Sequence, residues 1–62
     1  MNLTEIKCPC CGETVVGEYD ICEVCFWEND PIQLSKPDMR GGANRMCLNE
    51  ARIAYSKGKK VL

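Results

Sequence analysis

Short β-prone stretches alternate with turn residues over the first part of the chain. The segment Leu3 to Ile6 alternates weakly between apolar and polar side chains, which predicts a short strand. Segments 14–16 and 19–21 are rich in β-branched and aromatic residues, and the turn-forming pair Gly17-Glu18 separates them. We therefore predict that residues 3–27 form a β-hairpin in which segment 14–16 pairs with segment 19–21.

Residues 28–46 show no apolar period. Prolines and glycines that interrupt helices and strands are spread through this segment: Pro31, Pro37, Gly41 and Gly42. We predict a long loop here. Loops longer than about 12–15 residues in compact domains are usually functional, disordered or held by other contacts.

Helical periodicity begins at Cys47 and continues to Gly58. Cys47 is predicted as the N-cap, with Glu50 three residues later in a cysteine version of the capping box. Gly58 suits the left-handed position that follows the last helical turn. We predict a helix over residues 47–58, followed by a basic tail at 59–62. The positions expected to share its apolar face are Leu48, Ala51, Ala54 and Tyr55.

The opposite side of this predicted helix is polar apart from Ile53. A lone exposed aliphatic residue beside basic residues favours contact with a protein, because nucleic-acid surfaces use cations and aromatic rings instead. A solvated basic face and a phosphate-binding face are the alternatives. The candidate partner-binding residues are Arg45, Arg52, Ile53, Lys57 and Lys59.

Four cysteines form two C-x-x-C pairs separated by ten residues. This spacing is typical of a zinc site with four thiolate ligands, since each turn directs two sulfur atoms at one ion. We assign one Zn²⁺ ion to Cys8, Cys11, Cys22 and Cys25. Iron is a chemically allowed alternative, because tetrahedral four-sulfur geometry suits both metals.

A chain of 62 residues with one Phe, one Trp and two Tyr has too few large apolar side chains to fold on burial alone. Structural zinc contributes about 10–16 kcal/mol of apparent binding free energy in small peptides, which is enough to compensate. Disulfides and a redox-active C-x-x-C are the rival uses of these cysteines. The sequence shows neither a secretory signal nor a transmembrane run, so we expect a reducing, cytoplasmic environment that favours metal binding.

Two cysteines remain outside the pairs. We interpret Cys10 as a free thiol beside the metal site, with replacement of a neighbouring ligand as the alternative, and Cys47 as the helix cap. Phe26 and Trp27 directly follow the second pair. We expect both rings to cover the metal core, because the chain has few other aromatic residues, and a binding platform is the alternative.

Charge is divided unevenly along the chain, although the formal net charge is −1. Residues 1–30 carry seven acidic residues against Lys7 alone, a net charge of −6. Residues 31–62 carry seven basic residues against Asp38 and Glu50, a net charge of +5. Any attraction to nucleic acid must therefore come from the C-terminal half.

Three separated motifs between Cys8 and Tyr55 resemble the bacterial cysteine-rich CPCC family. They are Cys-Pro-Cys-Cys-Gly at 8–12, Tyr-Asp-Ile-Cys-Glu-Val-Cys-Phe-Trp-Glu-Asn-Asp at 19–30, and Gly-Gly-Ala-Asn at 41–44 with Leu-Asn-Glu-Ala-Arg at 48–52. The resemblance implies a small zinc-ribbon-type module of bacteria and their mobile elements. It also implies a shared framework that includes Trp27, Asp30, Gly42, Asn44 and Glu50.

Two positions depart from the pattern of this family. Glu23 stands where the family usually has proline, and its negative charge beside a thiolate is expected to weaken metal affinity slightly. Cys47 stands where the family has serine. The resemblance therefore supports a capping role for Cys47.

Together these features predict one small metal-stabilised α+β domain: zinc-ribbon or rubredoxin-like knuckles on a β-hairpin, then a long loop and a C-terminal helix. Four thiolates leave no open metal position and the chain has no histidine, so we expect no enzyme activity. We expect a protein-interaction module, an adaptor or inhibitor, that uses the C-terminal helix and the loop at 28–44. Binding of nucleic acid through the basic C-terminal half is the alternative. The sequence leaves the oligomeric state open.

Overall fold

The computed structural model describes residues 5–62, which contain two short strands and two helices. Strands β1 (Ile6–Lys7) and β2 (Val15–Val16) come first, followed by helices α1 (Pro31–Ser35) and α2 (Leu48–Ser56). The predicted α+β class, with a β-hairpin and four clustered cysteines before a C-terminal helix, is confirmed. No helix within residues 5–62 is long and apolar enough to cross a membrane.

The hairpin joins different segments from those predicted. β2 pairs antiparallel with β1 in a register that places Ile6 opposite Val16, and the first C-x-x-C lies in the connection. The predicted pairing of segment 14–16 with segment 19–21 is therefore wrong. Of the strand predicted at Leu3 to Ile6, the first two residues lie outside the described part of the chain.

A sharp turn after β2 explains the different pairing. Tyr19 has a left-handed backbone with φ +61°, and the Asp20 carboxylate accepts the N–H of Gly17 at 2.8 Å. Beyond this turn, Ile21 forms an isolated antiparallel bridge with Glu28. Local β-propensity is right for Val15 and Val16 but wrong for Tyr19, which lies in the turn. It also does not identify the strand partner, because turn geometry sets the register.

Segment 28–46 contains helix α1, so the prediction of an uninterrupted loop is wrong there. Asp30 is the N-cap of α1, and its Oδ1 accepts the N–H of Ile32 at 2.8 Å. Pro31 occupies the first turn, where its missing N–H removes no helical hydrogen bond. A helix this short has no detectable apolar period. The Asp-Pro pair is the local signal that indicates its start.

Gln33 of α1 is fully buried and organises the rest of this segment. Its Nε2 donates to the carbonyl oxygens of Met39, Asn44 and Met46 at 3.0, 3.2 and 3.2 Å. Its Oε1 accepts the backbone N–H and the side-chain Nδ2 of Asn44 at 3.0 and 2.9 Å. One side-chain amide thus satisfies several backbone groups that lie outside the helices and strands.

Asn44 and Asp30 extend this network in two directions. The Asn44 side chain accepts the N–H of Glu28 at 2.9 Å and donates to its carbonyl oxygen at 2.8 Å, as a neighbouring strand would. Asp30 Oδ2 accepts the N–H of Ala43 at 3.0 Å, and this hydrogen bond lowers the pKa of the Asp30 carboxyl. Segment 28–46 is therefore held closely by the buried side chains of Asp30, Gln33 and Asn44. We name these three side chains the polar network.

Gly42 lies directly against the polar network. A Cβ atom at this position would lie 2.7 Å from Asp30 Oδ2 and 2.7 Å from Gln33 Cδ, which is closer than real contacts allow. Glycine is therefore required for this approach of the backbone. Three residues of the framework that the family resemblance implies, Asp30, Gly42 and Asn44, have structural roles here.

Helix α2 begins and ends close to the predicted positions. Cys47 is its N-cap, with an extended backbone, and the Cys47 N–H donates to Glu50 Oε1 at 3.0 Å as part of a capping box. Gly58 has φ +69°. The N–H groups of Gly58 and Lys59 donate back to carbonyl oxygens of the last turn at 3.0 and 2.8 Å, which forms a Schellman motif.

Trp27 and Leu48 are fully buried at the centre of the apolar core. The predicted apolar face of α2 contacts this core, as expected. Val61 is also buried, so the tail predicted as basic contributes one apolar side chain. The remaining buried members of the core are Cys8, Val16, Cys22, Cys25, Ala51 and Ala54. One core thus joins the cysteine segments, α2 and the C-terminal tail.

Phe26 lies outside this core, with 69% of its surface exposed. The prediction that both aromatic rings cover the core is therefore right for Trp27 and wrong for Phe26. The reason lies in the backbone, because Phe26 has a left-handed conformation with φ +68°. The chain turns at Phe26 and leaves its ring outside, while Trp27 enters the core.

Candidate metal centre

The two C-x-x-C segments fold into matching turns, which we name the first knuckle (residues 8–12) and the second knuckle (residues 22–26). In each knuckle, the N–H of the residue after the second cysteine donates to the carbonyl oxygen of the first cysteine at 2.8 Å. That residue is left-handed in both cases, with φ +71° at Gly12 and +68° at Phe26. The two cysteine pairs are thus presented by the same backbone geometry.

The structure brings together the sulfur atoms of all four predicted ligands, which lie within 4.8 Å of one another. The Sγ–Sγ distance is 3.6 Å for Cys8 and Cys25, and it is also 3.6 Å for Cys11 and Cys22. A tetrahedral ion with metal–sulfur bonds of about 2.3 Å needs sulfur atoms about 3.8 Å apart. The four-cysteine cluster therefore has the right size to bind one metal ion.

Disulfides are absent from residues 5–62, a range that includes all six cysteines. Bonded sulfur atoms lie about 2.05 Å apart, so the separations of 3.6 Å exclude a bond in this arrangement. The disulfide framework considered from the sequence is thus not the arrangement observed. The cysteines are free thiols in which each sulfur remains available as a ligand.

Cys22 is the sulfur most strongly supported by hydrogen bonds. The N–H groups of Val24 and Cys25 donate to its Sγ at 3.4 and 3.5 Å, and the Thr14 hydroxyl lies 3.6 Å from it. Burial opposes ionisation of this thiol, but these hydrogen bonds outweigh it and lower the pKa of Cys22 to about 6. Cys22 therefore takes up negative charge more readily than an ordinary thiol does.

Two other sulfurs in the cluster resist ionisation. Burial raises the pKa of Cys11 and of Cys25, and contacts with neighbouring thiols add to the shift. The N–H of Glu13, which donates to Cys11 Sγ at 3.4 Å, only partly offsets this. Four thiolates this close together repel one another unless a cation lies between them. The donor atoms and their spacing thus fit a sulfur-binding cation.

Cys10 and Cys47 lie outside the four-cysteine cluster. Burial raises the pKa of the Cys10 thiol to about 11, whereas a redox-active thiol needs a lowered pKa. Cys47 is buried at the start of α2, where its predicted position as N-cap is confirmed. Cys10 therefore lacks the lowered pKa of a redox-active thiol, and Cys47 is shielded from solvent by burial.

The five candidate partner-binding residues all have exposed side chains. Ile53 is 56% exposed on α2, although it is aliphatic. Arg52 Nε donates to the carbonyl oxygen of Pro9 at 2.8 Å, so this residue also links α2 to the first knuckle. A role in binding stays a prediction for each member of the set: Arg45, Arg52, Ile53, Lys57 and Lys59.

The structure also shows a groove that the sequence pattern does not indicate. Val24 and Phe26 of the second knuckle line it together with Tyr55 and residues 58–62. One sequence signal points to it in retrospect. Glycine follows the second cysteine in the first knuckle, but a large aromatic residue follows the second cysteine in the second knuckle.

Comparison with known proteins agrees with this architecture. The profile of the cysteine-rich CPCC family matches residues 6–58, a range that contains both knuckles, the polar network and α2. No curated protein matches this chain in sequence. The family match covers most of the 62 residues and confirms the resemblance seen in the motifs. This chain belongs to the cysteine-rich CPCC family.

Proposed function

We propose that this protein is a non-enzymatic interaction module held in shape by one Zn²⁺ ion at Cys8, Cys11, Cys22 and Cys25. The observation that carries the proposal is the closed cluster of four sulfurs, with their spacing of 3.6 Å across the two knuckles. A structural zinc site fills all four coordination positions with protein ligands. Such a site supports folding and leaves no position for a substrate.

Native mass spectrometry of protein purified without chelator tests the metal assignment. We expect one zinc ion per chain, and iron in its place would overturn the choice of zinc. The variant Cys22→Ser removes the sulfur that receives the N–H groups of Val24 and Cys25, so it should lose the metal. The matched variant Cys10→Ser should keep it. Equal metal content in both variants would contradict the ligand assignment.

The proposed interaction follows from the side chains that the fold leaves exposed. Sulfur atoms and side-chain amides are used within the fold, in the cluster and in the polar network. Several large apolar side chains remain mostly exposed, and Ile53 and Phe26 are two of them that lie on well-anchored elements. Exposed apolar side chains presented by a rigid scaffold are suited to contact with another protein. We propose α2, with Ile53 and its basic neighbours, as part of the contact surface.

A pull-down from a cytoplasmic extract with metal-loaded protein tests the interaction. Ile53→Asp and Arg52→Glu should each weaken capture of a specific partner. Val15→Asp is a matched control, because Val15 is a similarly exposed aliphatic residue on β2, away from α2 in the sequence. A set of captured proteins that is the same for all variants would contradict the proposal.

Nucleic-acid binding is the second candidate, favoured by the exposed basic side chains of the C-terminal half. Arg45, Lys57, Lys59 and Lys60 are all exposed, whereas Arg40 forms an ion pair with Glu50. A salt titration distinguishes this candidate, since each lost phosphate contact reduces the log–log slope by about one. No measurable binding to DNA or RNA at low salt would exclude it.

A further inference from the structure

A groove of about 510 Å³ separates the second knuckle from the C-terminal tail. Val24 and Phe26 line one side of it, and Tyr55 lines it from the last turn of α2. Lys60 and Leu62 line it from the tail. Val24, Phe26 and Leu62 are exposed, so the groove offers apolar surface to solvent. We name it the knuckle–tail groove.

Phe26 has no folding reason to be aromatic. Its backbone is left-handed, a conformation that glycine adopts freely and that a bulky residue adopts only under strain. Gly12 occupies the same position in the first knuckle and shows that glycine suits this turn. The Phe26 ring gains little from burial in return, because it is 69% exposed. Strain without a gain in burial points to a use outside the fold.

Two positively charged side chains line the groove. Lys59 and Lys60 are exposed and line it, and they belong to the half of the chain that carries a net charge of +5. Glu23, the acidic residue nearest to Val24 in the sequence, lines a separate cavity with Asp20. Apolar surface with ammonium groups beside it is complementary to an apolar side chain flanked by carboxylates.

We propose that the knuckle–tail groove binds an acidic peptide segment of a partner protein, with one large apolar side chain of that segment against Phe26 and Leu62. This inference rests on the proposed interaction function and assigns it a site and a partner chemistry. A single strand of nucleic acid is the first competitor, because Phe26 and Tyr55 offer aromatic faces for base stacking. The aliphatic side chains of Val24 and Leu62 beside those rings favour an apolar side chain as the occupant. A second copy of the chain is the remaining competitor.

Selection from a displayed library of random twelve-residue peptides on metal-loaded protein tests the proposal. We expect enriched peptides with a large apolar residue flanked by Asp or Glu. Fluorescence anisotropy then gives the Kd of one enriched, labelled peptide for each variant. We expect Phe26→Gly to weaken binding at least tenfold while it keeps the metal and the fold, since glycine fits this turn. Phe26→Asn, which also tolerates a left-handed backbone, provides a second variant with the same expected loss.

The charge part of the proposal has its own matched pair of double variants. Lys59→Glu with Lys60→Glu should weaken binding at least tenfold at low salt. Lys7→Glu with Lys36→Glu changes the net charge equally at exposed positions that do not line the groove, and it should leave the Kd within twofold. Amide chemical-shift changes on peptide binding should concentrate at residues 24–26 and 58–62.

Several outcomes would overturn the proposal. Enriched peptides without the acidic and apolar pattern would do so, as would an unchanged Kd in Phe26→Gly. Tighter binding of a labelled poly-dT oligonucleotide at the same residues would assign the groove to nucleic acid. A dimer in sedimentation that Phe26→Gly dissociates would assign it to a second copy. Partner capture lost in Ile53→Asp but kept in Phe26→Gly would retain the interaction function and reject this groove as its site.

Discussion

The two halves of this molecule compensate for a scarcity of apolar side chains with different chemistry. Residues 5–27 are arranged around four sulfur atoms, and each strand of their β-ladder has only two residues. Residues 28–62 are arranged around buried amides and a helix with a capping box and a Schellman motif. In both halves, a few sulfur atoms or side-chain amides each interact with several other groups. A small fold therefore depends on such shared connections more than on apolar area.

The two kinds of connection respond to different conditions. A metal site depends on deprotonated sulfurs and is removed by a chelator or by acid. The polar network consists of neutral amides apart from Asp30, so a chelator does not act on it directly. Trp27 and Leu48 nevertheless belong to one core, which couples the halves.

Metal removal should have the largest effect. Structural zinc contributes about 10–16 kcal/mol in small peptides, which exceeds the total stability of most domains of this size. We expect EDTA under thiol-reducing conditions to abolish the dispersed amide resonances of residues 5–27 and, through the shared core, those of α2. Two-dimensional amide spectra measure both. Native resonances in both halves after metal removal would contradict the proposed role of the metal.

Replacement of the central amide should have the next largest effect. Gln33→Leu keeps a similar volume but leaves the N–H of Asn44 and the carbonyl oxygens of Met39 and Met46 without their partner. Each unpaired buried group costs about 1–3 kcal/mol, so we expect a loss of at least about 3 kcal/mol. Urea unfolding of metal-loaded protein measures it. Ser35→Ala, at an exposed hydroxyl of the same helix, is the control and should change the midpoint little.

A methyl group at Gly42 should have a smaller effect on the same network. In Gly42→Ala the new Cβ overlaps Asp30 Oδ2 and the Gln33 side chain, and we expect a loss of about 1–3 kcal/mol. The side-chain NH₂ resonances of Gln33 should shift as well. Gly41→Ala is the comparison for this shift only, because its Cβ meets no atom within 4 Å, whereas its left-handed backbone at φ +75° makes alanine destabilising for a different reason. Unshifted Gln33 resonances in Gly42→Ala would show that the close approach is absent.

Acid should have the smallest effect at the start of α2. Hydrogen bonds from Arg40 and from the Cys47 N–H lower the pKa of Glu50 to about 2. The folded-state pKa therefore lies below the ordinary glutamate pKa of about 4.3. Ionised Glu50 stabilises the folded state fully above about pH 4.3, and this contribution is lost as the pH falls toward 2. The difference in urea midpoint between wild type and Glu50→Gln should therefore be constant above about pH 5 and shrink below pH 4, wherever metal remains bound. A difference in urea midpoint that grows as the pH falls would contradict the predicted direction.

Local rules made part of this structure predictable. The spacing of the two C-x-x-C pairs indicates a four-sulfur cluster because each pair forms a knuckle by itself. The start of α2 at Cys47 and its end before Gly58 follow from capping chemistry within a few residues. These features involve neighbours in the sequence, so the sequence is enough to identify them.

Contacts across long sequence separations and unusual backbone conformations were not predictable in the same way. Gln33 resembles an ordinary surface glutamine until the chain brings Asn44 and Met46 around it. The partner of β2 depends on a turn at Tyr19, where the backbone is left-handed although the residue is not glycine. The exposure of Phe26 depends on its left-handed backbone. In the first knuckle, a glycine occupies the corresponding left-handed position. In each case, tertiary geometry determines the role of a residue whose type suggests another.

The single tryptophan of the chain gives this architecture a built-in optical reporter. Trp27 is fully buried in the same core cluster as three of the clustered cysteines, and its Nε1 has no hydrogen-bond partner among the residues that the structure describes. Its fluorescence should therefore be emitted at short wavelength while the sulfur cluster is loaded, and it should shift to longer wavelength once water reaches the indole. Binding of a metal ion by the four-cysteine cluster can then be tested by light alone, with no label attached.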